Sequence, residues 1–299
     1  MKMRPMSLWE SGESSGSVSL KELFDGIPLD IAKSRDCKLE EVAYIVCRGG
    51  WPKAVERGGD AALDYAQEYL DAIAESDISR VDDVPRSPER ARRLLRSLAR
   101  LQATQASIST IRNDMSANDD LTLSEQTTTS YINALEKIFV VENVHAWSPN
   151  LRAKSSVRVA DTRYFVDPSI AVAALGAGPG NLMDDLTTFG LFFETMAVRD
   201  LRVYADAVGG HVEHYHDKTG LECDAVVHMR NGDFGLVEIK LGGETLVEEG
   251  VKTLQKLSAL IDGKLSRKPR FKMILTAVGE FAYRRKDGII VCPMGALRP

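Results

Sequence analysis

Asp224, Glu238 and Lys240 are the residues of this 299-residue chain whose types and spacing come nearest to chemistry. Glu238 and Lys240 stand two apart in Gly235-Leu-Val-Glu-Ile-Lys-Leu-Gly-Gly243, a stretch otherwise apolar enough to be a buried strand. Strand side chains alternate between faces, so the two charges share one face while Val237, Ile239 and Leu241 line the other. In the preceding strand pattern, Leu221 to Met229, alternation sends Cys223, Ala225 and Val227 one way and Glu222, Asp224 and Val226 the other. The turn between the strands decides what meets. A two-residue Asn231-Gly232 turn would face Asp224 away from Glu238. A three-residue loop, Arg230-Asn231-Gly232 with Gly232 left-handed, would set Asp224 directly opposite Glu238, with Cβ atoms about 5 Å apart. In that second register the two carboxylates can hold one hard cation, Mg²⁺ or Mn²⁺, with Lys240 beside them. The cation would neutralise charge on a phosphate under attack, and the lysine would orient the water or stabilise the phosphorane, which is the chemistry of phosphodiester cleavage. Taken alone, a Glu-x-Lys in a strand is more commonly an ion pair on a solvated face.

The elements around these residues read as an α/β module with a mixed sheet over 181–299. Its predicted parts are a helix over Phe192–Ala205, strands over His211–Tyr215, Leu221–Met229 and Phe234–Leu241, a helix over Leu246–Ile261, and strands over Phe271–Ala277 and Gly288–Val291. Residues 83–180 read as a winged helix-turn-helix. Ser87-Pro88 caps a helix with the apolar stripe Ala91, Leu94, Leu95, Leu98 and Leu101; a short helix spans Ala106–Met115; Ser124 caps a third, and Phe139–Val144 and Arg158–Phe165 form the wing. Thr127–Lys137 takes the recognition-helix position, so Thr127, Thr128 and Asn133 are candidates for contact with DNA. Arg93, Arg96 and Arg100 fall largely outside the stripe, as either a solvated helix face or a track along a phosphate backbone.

Residues 1–82 hold an apolar opening, Met3 to Trp9, a Ser/Gly-rich SGESSGSVS, and two helical patterns separated by the turn Arg48-Gly-Gly-Trp-Pro52. The composition is that of a soluble globular protein: 44% hydrophobic, 27% charged, with a net charge of −5 that argues against a uniformly basic DNA-coating surface. Cys37, Cys47, Cys223 and Cys292 are widely spaced with no Cys-x-x-Cys, as suits reduced thiols in the cytoplasm, and no apolar run is long enough for a membrane span. His211-x-x-His214-x-His216 has zinc-like spacing but no evident cysteine or acidic partner, so zinc is not expected there.

Asp224 and Glu238-Ile-Lys240 resemble the PD-(D/E)XK nuclease superfamily, with Cys223 in place of the proline that gives the signature its first letter. That resemblance implies a further metal-binding glutamate on the preceding helix, a place that Glu194 matches. Met3-Arg-Pro-Met-Ser-Leu-Trp-Glu-Ser11, Arg48–Pro52 and Tyr164-Phe-Val-Asp-Pro168 extend the likeness to prokaryotic AAA-type ATPases that carry a C-terminal domain of unknown function, a winged helix followed by a nuclease-like module. The resemblance implies that 1–82 is the C-terminal part of an ATPase core, and that the partners are DNA and an ATPase core or further copies of the chain. No Gly-x-x-x-x-Gly-Lys-Ser/Thr phosphate loop is present, so no ATP site and no ATP hydrolysis are expected from this chain alone. A non-catalytic interaction module is the rival reading, since a nuclease fold does not settle function. A third reading is a degraded fragment with no independent role, whose opening 80 or so residues lack the rest of their sheet and would expose apolar surface and favour oligomers.

Overall fold

The computed structural model describes residues 3–116, 123–149, 160–262 and 267–299. They gather into two compact units, one of Met1–Val42, Val144–Asp161 and Met196–Pro299, the other of Ala43–Asn143 and Thr162–Thr195. In chain order, β1 (Val18–Ser19), α1 (Leu20–Asp25) and β2 (Ala32–Lys33) come first. Then follow α2 (Leu39–Arg48), α3 (Pro52–Arg57), α4 (Asp64–Ala72), α5 (Ile78–Arg80), α6 (Pro88–Arg100), α7 (Ile108–Met115), α8 (Glu125–Lys137), β3 (Val141–Val144), β4 (Thr162–Phe165), α9 (Pro168–Leu175) and α10 (Pro179–Asp184). The chain ends with α11 (Leu186–Ala207), β5 (Gly210–His216), β6 (Glu222–Met229), β7 (Phe234–Lys240), α12 (Glu244–Asp262), β8 (Lys272–Thr276), β9 (Phe281–Arg284), β10 (Ile290–Pro293) and β11 (Leu297–Arg298). None of the described helices is long and apolar enough to cross a membrane.

In the helical unit, α6 starts where its sequence says it should. Ser87 accepts the Arg90 amide, Pro88 occupies the first turn, and Ala91, Leu94, Leu95 and Leu98 are buried. Ser124 caps α8 in the same way, through the Thr127 amide. Phe139 takes a left-handed backbone, φ 58°, just past α8, so β3 begins at Val141 rather than at Phe139. β3 and β4 pair as a two-stranded sheet, and Arg158, the expected start of the second strand, lies outside the described residues.

Two of the short motifs meet in this unit. Asp167 is fully buried; its Oδ2 accepts the Gly50 amide at 2.9 Å, and its Oδ1 accepts the Ser169 amide and hydroxyl at 3.0 and 2.6 Å. Ser169 Oγ in turn accepts the Trp51 indole at 2.9 Å. The Arg48–Pro52 turn is thus fastened to the N-terminus of α9. Gly49 has φ 74°, and a Cβ there would lie 2.4 Å from both Asp167 Oδ1 and Ser169 Oγ, which explains why that position is glycine.

The other unit is built on a seven-stranded mixed sheet of order β2-β9-β10-β8-β7-β6-β5. β7, β8 and β10 run parallel in sequence of pairing, while β5–β6, β6–β7, β9–β10 and β2–β9 are antiparallel. Parallel neighbours need a crossover, and α12 supplies it between β7 and β8. Val247, Val251, Leu254, Leu257 and Ile261 of α12 share a core with Val226, Phe234, Leu236 and Ile274 of the sheet. The opening segment is not left without its sheet, contrary to the sequence reading. β1 pairs with β11, β2 pairs with β9, the Leu8 amide is held by buried Asp200 at 2.8 Å, and Leu8, Val18, Leu20, Leu23 and Phe24 are buried. Its strand partners lie more than 240 residues away and Asp200 is 192 residues from Leu8, beyond the reach of local pattern, and Met3 and Trp9 remain exposed.

Candidate functional site

β7 is an interior strand between β8 and β6, buried over Phe234–Ile239, and its two charges stand near its C-terminal end. Its register with β6 runs from His228↔Phe234 to Ala225↔Val237. This is the three-residue alternative: Met229 donates to the Asp233 carbonyl at 2.8 Å, Gly232 donates to the Met229 carbonyl at 2.9 Å, and Gly232 has φ 85°. β6 then departs from plain alternation. Against β5, the pair Glu213↔Val226 is followed by Tyr215↔Cys223, so β6 carries one extra residue around Asp224 and Ala225. Such a bulge re-aims side chains. Cys223, expected on the face opposite Val226, shares a core cluster with it. Asp224 reaches across to β7, where its Oδ2 accepts the Ile239 amide at 2.7 Å and lies 3.4 Å from Lys240 Nζ.

Lys240 Nζ is also 2.9 Å from Glu238 Oε2. Two carboxylates therefore share one ammonium, so the deeper of the two holds a proton rather than a second, uncompensated negative charge. The Glu238 side chain is 4% exposed, against 18% for Asp224 and 23% for Lys240. Glu238 Oε1 is buried with no hydrogen-bond partner among the described residues. α12 closes over it: a Cβ on Gly250 would lie 2.9 Å from Ile274 Cδ1 and 3.4 Å from Glu238 Cβ, so glycine permits the close crossing.

Burial, then the Asp224 charge, pushes the Glu238 carboxyl well above the usual glutamate range. Burial alone would lower Lys240, but the Asp224 and Glu238 carboxylates outweigh it and hold the ammonium above its ordinary value. A buried acid oxygen with no donor, beside a second carboxylate, fits a divalent cation, which would replace the missing positive charge. The raised acid has a measurable consequence. Between the ordinary value of 4.5 and the raised one, unfolded Glu238 is ionised while the folded form keeps its proton, so folding stability falls as pH rises. Glu238→Gln removes that loss. In metal-free buffer the variant is expected to be the more stable at pH 7.5, by on the order of 1–3 kcal/mol, with the gain gone at pH 4. Urea melts at the two pH values measure this, and a parent that outlasts the variant at pH 7.5 rules the assignment out.

The other expected residues are placed as follows. Glu194 lies on α11 in the helical unit, where its carboxylate accepts the Tyr164 hydroxyl at 2.6 Å; Asp224, Glu238 and Lys240 come together in the sheet unit. Thr128 is buried, with its hydroxyl given to the Ser124 carbonyl at 3.1 Å, so it packs inside the helical unit rather than facing a ligand. Asn133 is exposed, and Thr127 is half-buried beside its cap. Arg93 pairs with Glu89 at 2.6 Å one helical turn back, and Arg100 pairs with Asp114 at 2.6 Å, as arginines on a solvated face do. Arg96 is exposed and makes no ion pair among the described residues. Sequence reasoning missed one cluster altogether, His211, Glu213 and His228. The acidic partner lay inside the His211–His216 motif, but His228 joins only through the β5–β6 register.

Residues 39–181 match a family model described as a domain of unknown function (DUF8612), and residues 189–297 match a second, also described as a domain of unknown function (DUF4143). No curated protein matches the chain. The two matched stretches follow one another along the chain, each covering less than half of it.

Proposed function

We propose that the sheet unit is a PD-(D/E)XK-like nuclease module that hydrolyses DNA phosphodiesters with Mg²⁺ or Mn²⁺. The observation that carries this reading is the buried, unpartnered Glu238 Oε1 beside Asp224 and Lys240. Asp224 and Glu238 would hold the cation, whose contribution is Lewis-acid neutralisation of phosphate charge. Lys240 donates to a phosphate oxygen or to the attacking water. The water oxygen bonds to phosphorus as the bond to the departing strand breaks, and the departing oxygen takes up a proton. The helical unit would serve as a winged helix that presents Arg96 and Asn133 to DNA, and the motifs around Met3–Ser11, Arg48–Pro52 and Tyr164–Pro168 support partnership with an AAA-type ATPase core in the cytoplasm. A second reading draws on the depth of Glu238 under α12: the three charges form a buried polar network in a non-catalytic module.

Labelled single-stranded, duplex and forked DNA incubated with the chain in Mg²⁺, Mn²⁺ or chelator separates the two. Metal-dependent products from the parent and none from Asp224→Asn are expected. DNA bound but uncut by both proteins would establish the network reading instead.

A further inference from the structure

β5 is the edge strand of the seven-stranded sheet, and it carries His211 and Glu213 two residues apart, on one face. His228 on β6 is the direct cross-strand partner of His211, so its side chain leaves the sheet on that same face. The three converge. Glu213 Oε2 lies 3.1 Å from His228 Nδ1 and 3.6 Å from His211 Nε2, and the imidazole rings are 5.2 Å apart at an angle of 55°. Their ligand atoms all lie within 4.8 Å of one another. We propose that His211, Glu213 and His228 bind a first-row divalent transition metal ion, with zinc as the reference occupant, and so fasten the edge strand to its neighbour.

The donor set argues for the class of metal. Two imidazole nitrogens and one carboxylate suit zinc and the open-sided transition-metal sites, whereas Mg²⁺ prefers oxygen ligands throughout. Metal–ligand bonds of about 2.0–2.1 Å in a tetrahedron put donor atoms about 3.3 Å apart. The two observed separations bracket that value. An ordinary hydrogen bond explains the 3.1 Å contact between His228 and Glu213, but it leaves His211 unexplained, since 3.6 Å is too long for one. A shared ion accounts for both.

The histidines the spacing singled out divide differently. His214 is buried, its imidazole is pushed down to about 4 by burial, and its Nε2 has no hydrogen-bond partner among the described residues; His216 pairs with Glu222 across the strand at 3.2 Å. Because the ligands come from two adjacent strands rather than a loop, their backbones are already fixed. His211 is half-exposed, so a fourth position opens toward solvent. The cluster is separate from the acidic pair: His228 and Asp224 are four residues apart on β6, about 13 Å at roughly 3.3 Å per residue.

The test uses the untagged full chain, stripped with chelator and titrated with Co²⁺, whose visible d–d absorption reports nitrogen and oxygen ligation in a site of low coordination number. One equivalent of cobalt, displaced by Zn²⁺ and not by Mg²⁺, is expected from the parent. His211→Ala and Glu213→Gln should each weaken binding at least tenfold, and Asp224→Asn should bind as the parent does. His211 is exposed enough that its variant should fold, which an unchanged melting temperature in chelator verifies. Failure of the parent to bind Co²⁺, equal affinity in both histidine-site variants, or loss of the signal in Asp224→Asn instead would each overturn the proposal.

Discussion

Lys240→Met is expected to lower the rate of metal-dependent DNA cleavage by at least about 10²-fold, the scale seen when one preorganised donor to a reacting oxyanion is removed. Methionine keeps most of the apolar stem that packs near Gly250 and deletes the charge. Because the two carboxylates hold the ammonium above its ordinary value, the charge is fixed across the working pH range. The loss should therefore be similar from pH 6 to pH 9. Glu238 can respond to the missing ammonium by keeping its proton, so the stability change should be small beside the rate change. Single-turnover cleavage with melting curves on the same samples decides the matter, and a folded variant within fivefold of the parent would remove Lys240 from the reaction.

The largest effect on stability is expected at Asp167→Ala. At least three hydrogen bonds go at once, and the Gly50 amide and the first turn of α9 lose their acceptor in the interior. Each unsatisfied buried group costs about 1–3 kcal/mol, more where the partner is charged, so a loss of roughly 3–5 kcal/mol follows. Trp51 reports on this place directly, since its indole bonds to Ser169, the residue Asp167 holds. Urea unfolding followed by its fluorescence, with Trp9 and Trp147 replaced by phenylalanine, should show a lowered midpoint, with Asp167→Asn between the two. A midpoint equal to the parent's would mean that the clamp carries no weight.

Much of the site's local structure was legible because its signals are local. The turn residues Arg230 to Gly232 narrow the register to two alternatives, between which the β6–β7 pairing decides, alternation puts Glu238 and Lys240 on one face, and Ser87 and Ser124 mark their helices by type alone. What could not be read depends on distant partners. The β6 bulge is a property of the β5–β6 pairing, and nothing in Leu221–Met229 announces it. β1, β2 and β11 are two residues each, too short to show a period, and β9 has only Ala282 buried. His228 looks solitary in sequence and gains His211 and Glu213 only across a strand boundary. Thr128 was misplaced because residue type was weighed above position: in Thr127-Thr128-Thr129 the type is constant, but only Thr128 stands three and seven residues before Tyr131 and Leu135, on the buried face of α8.

The pairing of β1 with β11 sets an order of events during synthesis. Val18 waits for Leu297, and Ser14 for the Leu297 carbonyl that its hydroxyl meets at 2.7 Å. The helical unit lies wholly within residues 43–195, so every partner it needs has left the ribosome about a hundred residues before the sheet unit can close. Contacts between such distant residues form slowly. During that interval the opening segment, with Leu8, Val18, Leu20 and Phe24 still uncovered, is the part of the nascent chain that a chaperone would meet.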